Sequence, residues 1–394
     1  MKKKILFING HMNPGGVEKS LLDILRTMDY SKYEVDLLLL EELGDYILEV
    51  PKEVNIHLVD LHNTYGSLVN SLIRCIRLRD WRCFKIRIVF FLMEYFGTDK
   101  SRQLSGLIVP EKEYDCAVGF RPGIASVLAA YAVSADFKVI WWHHGEINLS
   151  EKQVKEYLAV SQKVDTIVSV SESCKIMLEN KFPVLKGKIA VIPNMLDIAD
   201  LRKKAHQYVP FKRENGQIFF VTVGRLSREK HIENVIYAAE SLTNKGIRNF
   251  HWYVVGHGEE RMRLEILIHE KKLENFITLT GNNPNPYPYM KYADVLIHTS
   301  YVESQCLVVL EAMALGIPCV VTESAGPKEF AINGENCILA EKNPDSLVDG
   351  IITLIESPNL ADSIREKGKK TAEKYDRKNI YPKIDRLLYG RKFC

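Results

Sequence analysis

The chain has 394 residues, of which 46% are hydrophobic and 26% are charged. This length favours two domains, and the composition is that of an ordinary globular protein, so a disordered or fibrous chain is excluded. Lys and Arg number 53 against 50 Asp and Glu, which leaves a net charge of +3. This nearly equal balance of charges excludes a general nucleic-acid-binding protein, and any basic function must be local.

The cysteines and the longest apolar runs bear on where the chain works. The eight cysteines form no CxxC or CxxxC pair, and several lie in apolar runs. This predicts reduced, buried thiols and neither disulfides nor a zinc site. No run of about eighteen apolar residues occurs, so no helix is expected to span a membrane. We therefore expect a cytoplasmic protein, either free or peripheral at the inner face of the cell membrane.

Short apolar runs alternate with amphipathic stretches along the whole chain, the pattern of repeated βα units with parallel sheets. The strands predicted in the first half are 5–8, 35–40, 55–59, 116–118, 138–142, 166–170 and 189–192. Those predicted in the second half are 218–223, 252–255, 277–279, 295–298, 319–321 and 337–339. The polar stretch 197–217 between the two sets is predicted to be a linker after a surface helix, so the domain boundary is placed near residue 200.

Doubly wound domains bind ligands beyond the carboxyl ends of their strands, and four such loops carry distinctive residues. After the first strand, Gly15 and Gly16 precede a helix, where free backbone N–H groups favour an anion. This loop matches neither GxGxxG nor the P-loop, and a tight turn is the alternative. After the run 138–142, His143 and His144 point to opposite sides. His144 is the candidate donor to a substrate hydroxyl, although a lone histidine is more often structural.

The other two loops lie in the second half. Arg225 and Lys230 bracket a turn and can converge on a diphosphate, whereas a solvated basic turn is the alternative. Glu303 and Glu311 flank a helix start and are about 80° apart around it. They therefore suit two parts of an elongated, hydroxyl-rich ligand better than one metal, and the helix N–H groups near Leu307 favour an anion. The alternative is a capping Glu303 and a solvated Glu311.

Taken together, these loops resemble a known family, the retaining nucleotide-sugar glycosyltransferases of family 4, also called group 1. The matching residues are Gly15-Gly16, His144-Gly145, Gly224-Arg225 with Lys230, the Glu303 and Glu311 pair, and the stretches 191–194, 255–258, 285–287 and 312–318. The resemblance is strong from residue 218 to about 339. It implies the GT-B fold, an α/β architecture of two Rossmann-like doubly wound domains facing a central cleft. The domains would be 1–200 on the acceptor side and 201–375 for the nucleotide sugar, with a helix in 376–394 returning to the first domain.

The resemblance also implies a function and a set of site residues. The expected reaction is retaining, metal-independent transfer of a hexose or acetamido-hexose from a nucleoside-diphosphate sugar, with UDP as the expected carrier. The expected acceptor is a lipid-linked or growing glycan in bacterial surface polysaccharide synthesis, such as a capsule or O-antigen. No cofactor is expected, because the sequence has no DxD and cationic side chains would do the work of a metal. The implied residues are His144 and Glu303 for catalysis; Gly16, Arg225, Lys230 and Leu307 for the donor diphosphate; Glu311 and Gly256 for the ribose; and Glu303, Gln305 and Cys306 for the sugar.

One loop departs from the family pattern. The family usually has Gly-Phe-Gly or Gly-Phe-Pro after the first glutamate, whereas this chain has Ser304-Gln305-Cys306. Losing the glycines removes positive-φ freedom, so we expect different backbone contacts to the sugar. Two alternatives stay open: a nucleotide-sugar epimerase or sugar phosphorylase on the same fold, and a catalytically silent sugar-binding or scaffold subunit of a glycosyltransferase pair, with which the altered loop is compatible.

Residues 68–96 form the one unusual region of the chain. The segment contains six basic residues but only two acidic ones, and aromatic or large apolar residues recur between them at helical spacing. This predicts a basic helix with an aromatic face, which suits an anionic membrane surface; the alternative is an ordinary solvated helix. The cations are Arg74, Arg77, Arg79, Arg82, Lys85 and Arg87, and the apolar set is Trp81, Phe84, Ile88, Phe91 and Leu92.

Overall fold

Every run predicted as a strand is a β-strand in the structure, a computed structural model that describes residues 1–41, 43–59, 68–96, 107–213 and 216–390. The chain divides into two compact units. The first unit holds Met1–Pro193 and the chain from Ile380 onward, and the second holds Asn194–Asn379.

The first unit is built on a parallel sheet flanked by helices. Its strands are β1 (Lys3–Asn9), β2 (Tyr33–Leu39), β3 (Val54–Leu58), β4 (Tyr114–Gly119), β5 (Ala135–Trp142), β6 (Thr166–Ser169) and β7 (Ile189–Val191). Its helices are α1 (Gly16–Thr27), α2 (Leu68–Arg77), α3 (Trp81–Phe96), α4 (Ile124–Tyr131), α5 (Glu151–Lys163) and α6 (Glu172–Lys181). The strand order is β3-β2-β1-β4-β5-β6-β7.

The second unit repeats this plan with a smaller parallel sheet of order β10-β9-β8-β11-β12-β13. The strands are β8 (Ile218–Val223), β9 (Phe250–Val255), β10 (Ile277–Gly281), β11 (Val295–His298), β12 (Cys319–Thr322) and β13 (Ile338–Ala340). The helices are α7 (Ile198–Lys204), α8 (Glu233–Asn244), α9 (Arg261–Glu270), α10 (Tyr287–Tyr292), α11 (Leu307–Leu315), α12 (Pro344–Glu356), α13 (Pro358–Glu373) and α14 (Arg377–Leu388), the last of which ends in the first unit.

The strands are readable from the sequence because both faces of each sheet are covered. In β8, the neighbours Phe220 and Val221 are buried in two different apolar clusters, one on each face of the sheet. A strand buried on both faces is a continuous apolar run and not an alternating one. The same helices that cover the faces also separate the runs along the chain.

Each sheet has a switch point, where the order of strands reverses. It lies between β1 and β4 in the first sheet and between β8 and β11 in the second. The loops that leave the two central strands diverge there and open a crevice at the carboxyl edge. Three of the four candidate loops, those after β1, β8 and β11, therefore border a switch point.

The stretch 197–217 begins with the short helix α7, which is the surface helix expected before the linker. Ile198 and Leu201 of this helix are buried in an apolar cluster of the second unit. Asp197 starts the helix by accepting a hydrogen bond from the backbone N–H of Asp200, at 3.1 Å. A short helix with one buried stripe exposes mostly polar residues, which explains the polar composition of this stretch.

Residues 68–96 form two helices, α2 and α3, and not the single helix predicted. Arg79 has a left-handed φ of 53°, which ends the first helix. Asp80 then accepts a hydrogen bond from the backbone N–H of Cys83 at 2.8 Å, as an N-cap does. The aromatic face is also divided, since Trp81 is exposed whereas Phe84 is half-buried.

Helix α14 completes the first unit although it follows the second in the chain. Its Ile384, Leu387 and Leu388 are buried. The Tyr33 hydroxyl on β2 donates to the Asp385 carboxylate at 2.7 Å. Of the predicted segment 376–394, residues 391–394 lie outside the described residues.

None of the described cysteines forms a disulfide, and six of the seven are buried. Within the same described ranges, none of the helices has the length and apolarity needed to cross a bilayer.

Candidate active site

The second unit gathers charged side chains at its switch point. Lys230 follows β8, Glu303 follows β11, and Lys230 Nζ lies 2.6 Å from Glu303 Oε1. Two of the residues singled out in the sequence, 73 positions apart, are thus brought into direct contact.

A histidine at the end of β11 completes this group. His298 Nε2 lies 3.1 Å from the same oxygen of Glu303. Burial alone would raise the pKa of Glu303, but the charge of Lys230 and the hydrogen bonds from His298 and Lys230 outweigh it and lower the pKa to about 2. For Lys230, burial lowers the pKa, and the Glu303 carboxylate more than compensates and raises it above its usual value. The pair is therefore ionised at neutral pH.

Backbone contacts hold the two loops together. The Thr299 hydroxyl donates to the Lys230 carbonyl at 2.7 Å, and the Ser300 hydroxyl donates to the Glu229 carbonyl at 3.1 Å. Gly326 packs beneath Glu303, because a Cβ on it would lie 2.8 Å from the Glu303 carbonyl oxygen. The position of the Glu303 carboxylate is thus fixed by neighbouring backbone as well as by its ion pair.

Arg225 and Gly256 lie on the loops after β8 and β9. Arg225 is exposed, and among the described residues it makes no hydrogen bond or ion pair, so its guanidinium can bind a ligand. Gly256 has φ +156°, and a Cβ there would lie 1.8 Å from the carbonyl oxygen of Gly224. The glycine is therefore required for the close approach of these two loops.

Helix α11 carries Leu307 at its first position and Glu311 one turn later. Glu311 is buried and accepts a hydrogen bond from the Tyr287 hydroxyl at 2.9 Å. It is therefore not the solvated residue of the alternative interpretation. Cys306 precedes the helix and makes no side-chain cap.

The remaining candidates, Gly16 and His144, belong to the first unit. Gly16 is the first residue of α1, and a Cβ on it would meet nothing within 4 Å. His144 is exposed while its neighbour His143 is buried. Although part of its surface is open to solvent, the protein around the His144 ring displaces water, and this desolvation together with the nearby charge of Arg121 lowers the pKa of His144, which favours a neutral imidazole.

Sequence models of two families match the chain. The model described as "Glycosyltransferase Family 4" matches residues 14–200, and that described as "Glycosyl transferases group 1" matches residues 206–371. Together they cover both units. The chain belongs to the family 4, or group 1, glycosyltransferases.

Individual relatives of this glycosyltransferase agree with the family match. An uncharacterized glycosyltransferase of Haemophilus influenzae is 25% identical to this chain. The match includes 95% of this chain and 96% of that protein. A Campylobacter jejuni enzyme, named N-acetylgalactosamine-N,N'-diacetylbacillosaminyl-diphospho-undecaprenol 4-alpha-N-acetylgalactosaminyltransferase, is 27% identical over 58% of this chain, a match that spans only 61% of that enzyme.

Similarity to a solved structure identifies the fold. The crystal structure of Anabaena HepE in complex with UDP-glucose matches 98% of this chain and 99% of its own with a TM-score of 0.70, at 20% identity. With its two parallel-sheet Rossmann-like units, the glycosyltransferase thus has the GT-B fold expected from the sequence. Neither the epimerase nor the scaffold alternative is favoured by these matches.

In this glycosyltransferase, the loop after Glu303 that differs from the family pattern is held in place by hydrogen bonds of its own side chains. The Gln305 side chain accepts from the backbone N–H of Asn194 at 2.7 Å and donates to its carbonyl at 3.0 Å. Cys306 takes a left-handed φ of 66°, a conformation that glycine adopts more readily. The backbone therefore keeps a glycine-like turn without the glycine, although Cys306 itself is strained there.

Sequence reasoning missed two partners of the site glutamates. His298 was predicted only as the last residue of a strand, and Tyr287 only as part of a family match. The first had a usable signal, because a polar residue at the carboxyl end of a central strand points toward the ligand edge. The second had none, since Tyr287 meets Glu311 only through the packing of α10 on α11.

Proposed function

We propose that this protein is a retaining glycosyltransferase that moves a hexose or acetamido-hexose from a UDP-linked donor to a glycan. The observation that carries the proposal is the ionised Lys230–Glu303 pair, with His298 bonded to the same carboxylate oxygen, at the switch point of the second sheet. UDP is favoured because HepE was solved with UDP-glucose. Retention is favoured because the Campylobacter relative is named as an alpha-transferase.

The positive charges at this site would favour the departure of a diphosphate leaving group. Arg225 and Lys230 would neutralise the negative charge that develops on the leaving phosphate, with Gly16 and the N–H of Leu307 as further contacts to it. Cationic side chains acting in this way need no divalent metal. Glu311 would hold the ribose beside Gly256.

In the proposed reaction the acceptor hydroxyl attacks C1 of the donor sugar on the face that the diphosphate leaves. The C1–oxygen bond to phosphate breaks, and the leaving phosphate takes the hydroxyl proton, so the products are the glycoside and UDP. Glu303 would contact the transferred sugar, with Gln305 and Cys306 on the same loop, and His144 would meet its outer hydroxyls. No side chain has to form a covalent bond.

The acceptor is proposed to be lipid-linked, as in capsule or O-antigen synthesis. The Campylobacter relative is named for a diphospho-undecaprenol acceptor. In this chain, an exposed apolar surface lies on and after α2, among arginines. Its five apolar residues, here called the α2 face, are 52–64% exposed: Val69, Ile73, Ile76, Leu78 and Trp81. We place this face on the anionic inner surface of the cell membrane.

A donor panel tests the proposal. UDP- and GDP-sugars are incubated with the protein and a lipid-linked acceptor mixture, and released nucleotide is measured together with the anomeric configuration of the product. Release from a UDP-sugar with retention is expected. Silence across the panel, or an inverted product, would refute the proposed reaction.

Variants separate the proposed roles. Glu303→Ala is expected to slow turnover far more than it weakens UDP binding. Arg225→Ala and Lys230→Ala are expected to weaken both, by roughly 10- to 100-fold in affinity, because a charge-assisted hydrogen bond contributes about 1.5–3 kcal/mol. Arg228→Ala is the matched control, since this arginine lies in the same turn and is 90% exposed. Near-wild-type turnover in Glu303→Ala would show that its role is misassigned.

A further inference from the structure

Three possible metal ligands converge at the switch point of the second sheet. His298 Nε2 lies 3.1 Å from Glu303 Oε1 and 3.2 Å from Cys306 Sγ. All three ligand atoms lie within 4.8 Å of one another. Within the part of the chain that the structure describes, no other His, Cys, Asp and Glu side chains form such a group.

The spacing of these atoms suits a tetrahedral zinc ion. With Zn–N near 2.05 Å and Zn–S near 2.3 Å, neighbouring ligand atoms lie about 3.3–3.6 Å apart. The two separations measured from His298 Nε2 are smaller by only a few tenths of an ångström, and the Glu303 and Cys306 ligand atoms lie within 4.8 Å of each other, so small side-chain movements would admit the ion. A thiolate, an imidazole and a carboxylate are ligands that Zn²⁺ commonly takes, and a fourth position would stay open for water.

We propose that His298, Glu303 and Cys306 form an inhibitory site for Zn²⁺ in which the ion replaces Lys230 as the counter-charge of Glu303. Lys230 Nζ lies 2.6 Å from Glu303 Oε1, so a zinc ion on the same carboxylate would repel the Lys230 ammonium at close range. Zinc binding is therefore expected to weaken the Lys230–Glu303 pair. That this also blocks the donor rests on the function proposed above, whereas the metal site itself does not.

The protons released on binding and the groups around the ligands determine the expected affinity of the site for zinc. Cys306 binds as a thiolate and releases its proton to solvent, and the proton on the His298 ring moves to Nδ1. That atom is buried and has no hydrogen-bond partner among the described residues. Histidine ligands normally donate this second N–H to an acceptor, and lacking one weakens binding by about 10- to 100-fold. We therefore expect reversible, micromolar binding and not a permanent structural zinc.

Metal titrations without any donor test the site. The full-length protein is titrated with Zn²⁺ against a chromogenic chelator, and with Co²⁺ while visible and near-ultraviolet spectra are recorded. One metal per chain and a thiolate-to-cobalt charge-transfer band are expected. Cys306→Ser should abolish the band and weaken zinc at least about tenfold, and His298→Gln should weaken it similarly. Cys83→Ser, which alters a half-buried thiol on α3, is the matched control. Circular dichroism checks that each variant is folded.

A second measurement tests competition with the nucleotide. UDP binding is titrated with and without Zn²⁺ for the wild type and for Cys306→Ser. Since free UDP chelates zinc equally in both experiments, only the wild type should show an additional loss of UDP affinity. Unchanged zinc affinity in Cys306→Ser, or no charge-transfer band in the wild type, would overturn the proposal. Failure of all UDP binding and turnover with intact zinc binding would refute the transferase function alone.

Discussion

Glu303 shows how neighbouring residues determine the state of one carboxyl group. It is largely enclosed, with 13% of its side chain exposed, a position that normally favours the neutral acid. Lys230 and His298 reverse that preference and lower its pKa to about 2. The carboxylate therefore remains charged across the physiological pH range.

This shift predicts a pH dependence of stability. Because the folded pKa lies below the unfolded value of about 4.3, ionised Glu303 stabilises the folded protein above that pH. The stabilisation is lost as pH falls toward 2. The difference in urea midpoint between the wild type and Glu303→Gln should therefore be constant near neutrality and shrink between pH 5 and pH 3. A difference that does not change over that range would contradict the lowered pKa.

At this scale the sequence predicts which residue types lie near the site but not their partners. The family spacing picks out Lys230 and Glu303, and the structure brings them into contact. It does not predict the Gln305–Asn194 pair, which joins residues 111 positions apart. Such a contact depends on loop packing, for which local propensity and periodicity carry no signal.

At the scale of secondary-structure elements, two glycines at the ends of elements play different roles. Gly119 ends β4, and a Cβ on it would lie 2.7 Å from the Cα of Ser126 in α4, so it is needed for packing. Gly16 begins α1 and faces open space. Packing does not explain why Gly16 is a glycine, whereas close approach of a ligand to the backbone would.

Alanine substitutions separate the two roles. Gly16→Ala should leave thermal stability unchanged or slightly raised, because alanine is favourable in a helix, while lowering UDP-sugar turnover. Gly119→Ala should destabilise the protein by about 1–3 kcal/mol, as overpacking does. Thermal melts and donor turnover are measured on both. Full turnover in Gly16→Ala would show that no ligand approaches this backbone.

The helix pair α2 and α3 shows what periodicity can predict. Its basic, amphipathic character was evident from the sequence, but the break was not, because it depends on one left-handed residue and the Asp80 cap. The outward apolar residues consequently lie mainly on α2 and not on the aromatic side of α3.

Vesicle flotation tests the α2 face. Arg74, Arg77 and Arg79 are exposed, and each cation near an anionic surface contributes about 1 kcal/mol. Changing all three to Glu should weaken flotation with phosphatidylserine-containing vesicles by at least about 100-fold. Ile73→Ser with Ile76→Ser should weaken it through loss of apolar contact. Lys367, Lys370 and Lys374, exposed on and just after α13, give a charge-matched triple control. Unchanged flotation in the α2 variants would rule out this surface.

On the scale of the whole molecule, the chain forms two units, of which the first is built from two separated segments and the second from one. The thirteen strands within the described residues were all foreseen, because each is an apolar run bounded by turn residues. The boundary differs by a few residues from the expected position near 200, since Asn194 and α7 belong to the second unit.

Tryptophans allow the two units to be followed separately. Trp81, Trp141 and Trp142 belong to the first unit, and Trp252 belongs to the second. Ile384→Ala removes a buried side chain of α14 and should destabilise the first unit by about 2–5 kcal/mol. In a variant that retains only Trp252, the fluorescence midpoint in urea should not move. In one that retains only Trp142, it should fall. Equal shifts in both reporters would show that the units unfold together.

The return of α14 to the first unit has a consequence for biosynthesis. A ribosome delivers the seven strands of the first sheet early, yet the helix that covers part of this unit emerges only after the entire second unit has been made. The second unit is contiguous and can fold while translation continues. The first unit must wait in an incomplete form, with the surface later covered by α14 exposed to solvent, chaperones and proteases. Slow decoding within the second unit would prolong that vulnerable interval.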